Sequence, residues 1–216
     1  MTKAVAFDMD GLMFNTEDVY WKAADAQLRK RGYEYTKELN AALMGRKPQD
    51  CFELFRERFG FPESWRELQR ESEDLFLKFL DEGFSTMSGL TELLEFLEAK
   101  RIPKAVCTSS AVRLVDEVLR RKNVKDRFEF ILTAEDITNG KPNPEIYLKA
   151  AARFGVAPSE MLVLEDSAAG SQSARAAGTT VVVVLAEHNK DGDFSAANLI
   201  VDSLDSPGIR ELLLTP

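Results

Sequence analysis

A doubly wound α/β fold with an inserted bundle of helices is what this sequence predicts. Two patterns carry the prediction. Short apolar runs alternate with stretches of helical period over most of the chain, as in a parallel sheet with helices on both faces. Early on the alternation stops, and four helical stretches follow one another with no strand between them. A third feature sharpens the first. Polar clusters follow several of the apolar runs, and ligands of open α/β sheets sit beyond the carboxyl ends of the strands.

The first run, Ala4-Val5-Ala6-Phe7, suits a strand buried on both faces. Next comes the interruption. Tyr20, Ala24 and Leu28 are spaced for a helix ending at Gly32, and Leu39, Ala42 and Leu43 for a second ending at Gly45. Pro48 opens a third, with Cys51, Phe52, Phe55 and Phe59 inward and Gly60 as its stop. Trp65, Leu68, Ser72, Leu75 and Phe79 mark a fourth. Alternation then resumes. Leu90, Leu93, Leu94 and Leu97 share a helical face, Ala105-Val106-Cys107 reads as a strand, and Val112, Val115, Val118 and Leu119 share another face. Phe130-Ile131-Leu132 is a third strand. Ile146, Tyr147, Ala150 and Ala151 form a stripe between Pro144 and Gly155. Leu162-Val163-Leu164, a small-residue helix over 167–177 stopped at Gly178, the run 181–185 and Leu199-Ile200-Val201 complete the series. The expected division is an α/β core over residues 1–15 and 85–216, with a helical cap over 16–84.

With 216 residues, 44% of them hydrophobic, the chain can bury a core without disulfides or a structural metal. A net charge of -8 disfavours nucleic acid and anionic membranes, which need clustered Lys and Arg. Cys51 and Cys107 have no metal-ligand spacing, and one His, His188, speaks against a His-ligated metal or a Ser-His-Asp triad. No signal-peptide pattern and no run of ~20 apolar residues is present, so a soluble, cytoplasmic protein is expected, with a monomer as the default.

Asp8-Met9-Asp10-Gly11 follows the first strand, so both carboxylates face the crevice. Two carboxylates so close repel unless a cation or a shared proton relieves them. Mg²⁺, which takes oxygen ligands and leaves room for waters and phosphate, suits them. Gly11 allows a sharp turn that presents N–H groups to an anion. An acidic pair after a strand also serves as a plain turn or helix cap. The other strand ends weigh against that reading. Thr108-Ser109-Ser110 offers hydroxyls and a helix start to a phosphate, although Ser109 or Ser110 could simply cap the helix. Lys141 precedes Pro142 in extended chain, and Glu165-Asp166-Ser167 is a second acidic pair at a second strand end.

In this order these residues resemble the haloacid dehalogenase superfamily over nearly the whole chain. All four of its motifs are present, as Phe7-Asp8-Met9-Asp10-Gly11, Thr108-Ser109, Lys141-Pro142 and Glu165-Asp166-Ser167. The inserted helices resemble the cap of the β-phosphoglucomutase-like branch. Asp8-Met9-Asp10-Gly11-Leu12 followed by Thr16-Glu17 looks most like its small-molecule phosphatases, pseudouridine-monophosphate phosphatases among them. The resemblance implies a Rossmann-like core and a Mg²⁺-dependent phosphatase. Asp8 would be the nucleophile, forming an aspartyl-phosphate, and Asp10 the general acid and base. Asp8, the Asp10 main-chain carbonyl and Asp166 would hold the ion, with Glu165 direct or through water. Thr108 and Lys141 would stabilise the transferred group, and Gly11, Leu12, Ser109 and, from the cap, Arg46 would bind phosphate or substrate. The substrate would be a small phosphorylated metabolite, a nucleoside monophosphate or a sugar phosphate.

A sugar-phosphate mutase of the same branch is the rival reading. Mutases there carry Asp and His where this chain has Asn15 and Tyr20, and Pro48 stands where their cap arginine is expected. Arg46 and Lys47 are equally readable as grips on an anion or as solvated helix-end charges. A dehalogenase would lack the carboxylate found at Asp10. A phospho-accepting receiver module would be little more than half this length, without the inserted helices. A non-catalytic phosphate binder would lack a catalytic residue, and none is missing. His188 reads as a surface-loop residue, Cys107 as strand packing and Trp65 as part of the bundle. Tyr20 and Trp21 either line the cap's substrate face or are buried in it.

Overall fold

In the computed structural model, which describes residues 2–43 and 46–214, six strands form one parallel sheet in the order β3-β2-β1-β4-β5-β6. The strands are β1 (Ala4–Phe7), β2 (Lys104–Cys107), β3 (Phe130–Leu132), β4 (Met161–Glu165), β5 (Thr180–Val184) and β6 (Leu199–Val201). Each coincides with a predicted run to within a residue at either end. The chain leaves β1 for β2 and β3, then returns to β4 on the other side of β1. Such a reversal opens a crevice beyond the carboxyl ends of β1 and β4.

Side chains alternate across the sheet, so each strand feeds two cores. Val5, Phe7, Val106, Leu162, Leu164 and Val182 point to one face. There they meet α5 (Leu90–Ala99), α6 (Val112–Arg121) and α9 (Pro207–Leu214). Ala4, Ala6, Ala105, Cys107 and Val163 point to the other, against α7 (Glu145–Phe154) and α8 (Ala168–Ala176). Small residues on this second face let α7 approach closely, and Tyr147 is wholly buried there. Within α6 the expected stripe is displaced at its start. Val112 is 45% exposed and Leu114 takes its place inside. Ala111 stands at the cap position and offers no side-chain bond, and Glu135 accepts the Val112 N–H there.

The four helices of the interruption are α1 (Glu17–Arg29), α2 (Lys37–Leu43), α3 (Pro48–Phe59) and α4 (Trp65–Leu80). Gly32 and Gly60 adopt left-handed backbone where the first and third helices close, as predicted; Gly45, expected to end the second, lies outside the described residues. Ser64 and Glu67 form a reciprocal capping box at the start of α4. The inward face of α4 runs through Leu68, Phe76 and Leu80, a turn-by-turn row. The expected stripe through Leu75 and Phe79 is only half-buried, because α4 packs between α1 and α3 and is not held on one side. In α2 only Leu39 of the expected face is buried, and Ala42 is exposed.

These helices share an aromatic core of their own, with Tyr35, Phe52, Phe55 and Phe61 around Leu28, Leu39 and Leu68. Trp21 and Trp65 pack on its edge. Val19, Ala23, Phe76 and Leu80 instead continue the core beneath α5 and α6. Two connections run side by side beyond β1. Asn15 donates to Ser85 O at 3.1 Å, and Met87 N–H reaches Met13 O at 2.9 Å. Among the described residues no helix is long and apolar enough to cross a membrane.

Candidate active site

The loop after β1 enters the crevice as Asp8, then turns at Gly11, whose φ of 78° favours glycine. A side chain there would overlap the Asp166 carboxylate and the His188 ring. The Gly11 N–H closes the turn by donating to Phe14 O at 2.8 Å, so it is not presented to an anion as the sequence implied. Leu12 could serve a phosphate only through its main chain, because its side chain is wholly buried in the apolar core.

Lys141 binds the acidic groups together from below. Its Nζ lies 2.5 Å from Asp8 Oδ1 and 2.5 Å from Glu165 Oε1, and it reaches Cys107 O at 3.3 Å. Glu165 is engaged by the protein at both oxygens. Oε1 also accepts the Tyr147 hydroxyl at 2.5 Å, while Oε2 accepts the main-chain N–H groups of Asp166 and Ser167 and the Ser167 hydroxyl. Gly170 faces this carboxylate, and any side chain there would overlap it. Burial alone would lower the Lys141 pKa, but the charges of Asp8 and Glu165 more than offset it and raise it above the ordinary value.

One ammonium does not balance this much negative charge. Burial, then the neighbouring carboxylates, push Asp8 well above the ordinary carboxylate range, although Lys141 opposes the shift. Asp166 is pushed up in the same way by burial and by the charge of Glu165. Asp8, Glu165 and Asp166 each place a carboxylate oxygen within 4.8 Å of the others. An all-oxygen, buried and negatively overcharged set fits a hard divalent cation such as Mg²⁺.

Asp10 sits in a different environment. Its Oδ1 accepts the Thr16 hydroxyl at 2.6 Å, and its Oδ2 accepts Ser110 at 2.6 Å and Thr108 at 3.2 Å. Burial raises its pKa, while these hydroxyl bonds pull it down. Tyr20 from α1 shares a hydrogen bond of 2.7 Å with Ser110, so a helix of the inserted bundle reaches this carboxylate through a single hydroxyl. Glu17 is raised to about 8, first by burial and then by the charges of Asp166 and Asp10. The two aspartates of one loop thus face an ammonium and a hydroxyl cluster respectively.

A cavity of about 180 Å³ opens above these groups. Ser109 lines it beside Thr108, and the exposed Arg46 lies at its rim. Its far wall is supplied by the helical bundle, with Tyr20, Tyr35, Phe52, Phe55 and Glu73. Lys47 does not join Arg46 there. It crosses to the loop before Lys141 and donates to Ile137 O at 2.7 Å and Thr138 O at 3.0 Å. Both cysteines are poor nucleophiles, because burial raises each thiol to about 12.

Sequence reasoning passed over several participants. Ser110 was visible in the hydroxyl run, but nothing in the sequence says that it, rather than Ser109, reaches Asp10. His188 read as a surface residue, yet its Nε2 lies 2.8 Å from Asp166 Oδ2. No periodicity in its Asn- and Asp-rich loop points to that contact.

Comparison with known proteins agrees with the geometry. The haloacid dehalogenase-like hydrolase profile matches residues 5–184. A phosphorylated carbohydrates phosphatase of Thermotoga maritima is 31% identical over 190 residues, 88% of each chain. A probable pseudouridine-5'-phosphatase of Drosophila melanogaster is 34% identical, covering 82% of this chain and 79% of its own. Among solved structures, a β-phosphoglucomutase of Clostridium difficile superposes with a TM-score of 0.85 at 25% identity, over 99% of this chain and 96% of that one. The chain belongs to the haloacid dehalogenase-like hydrolases and is an enzyme of their phosphatase class.

Proposed function

We propose that the protein is a Mg²⁺-dependent phosphatase of a small phosphate monoester, a nucleoside monophosphate or a sugar phosphate, that works through an aspartyl-phosphate at Asp8. The observation that carries this reading is the division of labour between the two aspartates. Asp8 is gripped by Lys141 beside an acidic set fit for a cation, and Asp10 lies under three hydroxyls facing the cavity. Carboxyl groups set in unlike environments are how one site holds a nucleophile and an acid at the same pH.

Asp8, Asp166 and the Asp10 main-chain carbonyl would hold the ion, with Glu165 behind them anchoring Lys141. A bound Mg²⁺ would relieve nucleophile–phosphate repulsion and polarise the phosphoryl group. The Asp8 carboxylate attacks phosphorus and the bond to the leaving oxygen breaks, while Asp10 gives that oxygen its proton. Asp10, now ionised, takes a proton from water as it attacks the phosphoaspartate, which frees inorganic phosphate and restores Asp8. Lys141, Thr108 and the Ser109 region stabilise charge on the transferred group. Arg46 at the rim supplies a positive charge to an anionic substrate.

A panel of phosphate esters, assayed with Mg²⁺ for released phosphate beside the Asp8→Asn variant, tests the reading. Steady release that Asp8→Asn abolishes is the expected outcome; near-wild-type release by that variant refutes it. The fold match to a β-phosphoglucomutase keeps a mutase as the second reading. That reading requires interconversion of hexose phosphate isomers dependent on a bisphosphate primer, with little free phosphate.

A further inference from the structure

We infer that His188 and Asn189 form a two-point clamp on Asp166, and that this clamp sets how tightly the acidic site holds its divalent cation. The inference rests on the reading of Asp166 as a cation ligand.

Adjacent residues of the loop after β5 hold Asp166 from both ends. His188 Nε2 meets the carboxylate at Oδ2, 2.8 Å away. Asn189 Nδ2 donates to the Asp166 main-chain oxygen at 2.8 Å. With Asp166 ionised, the form that binds a cation, its carboxylate is acceptor-only, so Nε2 carries the hydrogen. The loop itself is stapled in place. Asn189 is 6% exposed, and its side chain also donates to Val184 O at 3.0 Å and accepts from Ala186 N–H at 2.7 Å. His188 is exposed as a residue, but its side chain is only 26% exposed, with Nε2 turned in to the carboxylate. Opposite it, Gly11 supplies no side chain, so the ring and the carboxylate can come up against the loop after β1. Neighbouring residues of one loop therefore hold the side chain and the main chain of Asp166, while the loop after β1 leaves room for the carboxylate.

Asp166 needs such a hold. Glu165, its neighbour, is fixed by Lys141, Tyr147 and Ser167, so its orientation is already determined. Partners that orient a metal-binding side chain typically change metal affinity by roughly 10–100-fold when removed. They act through position, so the chemical step at saturating cation is largely spared.

The test uses the full chain. Mn²⁺ binding to the resting protein is measured by calorimetric titration, and the Mg²⁺ dependence of turnover is measured separately. His188→Ala is expected to weaken Mn²⁺ binding and raise the Mg²⁺ concentration for half-maximal turnover by roughly tenfold or more. Turnover at saturating Mg²⁺ should stay within a few-fold of wild type. His188→Gln, whose amide can donate from a similar reach, should recover most of the affinity. Lys190→Ala, in the same loop but paired outward with Glu187, should leave both readouts unchanged. Wild-type Mn²⁺ affinity in His188→Ala, or a loss in His188→Gln as deep as in His188→Ala, overturns the clamp. Asp166→Asn separates the two levels of the argument. If it retains Mn²⁺, the cation reading itself fails and the clamp falls with it; if it loses Mn²⁺ while His188→Ala does not, the clamp alone is wrong.

Discussion

On the sheet side of the cavity, Asp10 accepts three hydroxyl hydrogen bonds and Asp8 and Glu165 share the Lys141 ammonium. On the helical side, Phe52, Phe55 and Tyr35 present rings from an aromatic core, and Tyr20 reaches across to Ser110 beside Asp10. The floor is a set of directional bonds, each fixing a particular atom. The far wall is held by packing, which is non-directional and tolerates change of shape. Substitutions in the floor should therefore remove chemistry at little cost in stability, and substitutions in the wall should do the reverse.

The largest effects are expected in the floor. Asp8→Asn removes the nucleophile and should lower turnover by about 10⁴-fold or more with the unfolding midpoint nearly unchanged. Asp10→Asn should lower it by roughly 10²–10⁴-fold, with the loss falling on breakdown of the phosphoenzyme. If either variant unfolds instead, the floor is structural and the contrast breaks.

Gly11→Ala probes the floor by strain. Left-handed backbone disfavours alanine by about 1–2 kcal/mol, and the added methyl would overlap the Asp166 carboxylate. Mg²⁺ affinity should fall by roughly tenfold or more, read from the cation dependence of turnover. In the wall, Phe55→Ala deletes a ring that is 2% exposed and packs 5.8 Å from Phe52. Urea unfolding should show a loss of about 3–5 kcal/mol, while hydrolysis of a generic aryl phosphate persists in native conditions. A turnover loss as deep as that of Asp10→Asn would erase the distinction between floor and wall.

The smallest expected effect is a shift in pH dependence. The Ser110 hydroxyl stabilises the ionised form of Asp10 and lowers its pKa. Removing it in Ser110→Ala raises that pKa, so the protonated acid survives to higher pH. The basic limb of kcat/KM should move upward, and Tyr20→Phe, acting through Ser110, should shift the profile less. A downward shift would show that Ser110 does not stabilise the carboxylate.

The same contrast explains what could be read in the sequence. The central strands were legible because strands of a doubly covered parallel sheet must be apolar on both faces, as in the run Val181-Val182-Val183-Val184. The edge strand β6, with Ile200 exposed, was legible only as a short apolar run. Asp8 and Asp166 were legible because acidic pairs stand at the carboxyl ends of β1 and β4, whereas Lys141, well beyond the end of β3, stood out only for its place before Pro142 and in the resemblance. Val112 was misplaced because a helix's first turn is set by its entry, here the bond to Glu135, and not by its period. Leu75 and Phe79 were misplaced because α4 meets neighbours on two sides and periodicity assumes one. The Asp166–His188 contact was out of reach for a different reason. It depends on how Asn189 folds its loop back on β4, and no local pattern encodes that.

The central claim, that Asp8 carries the phosphoryl group, is tested most directly by acid-quenching turnover of a labelled phosphate ester in the Asp10→Asn protein and mapping the label. The label should sit on the Asp8 carboxylate and be absent when Asp8→Asn is added. Label on any other residue would contradict the account.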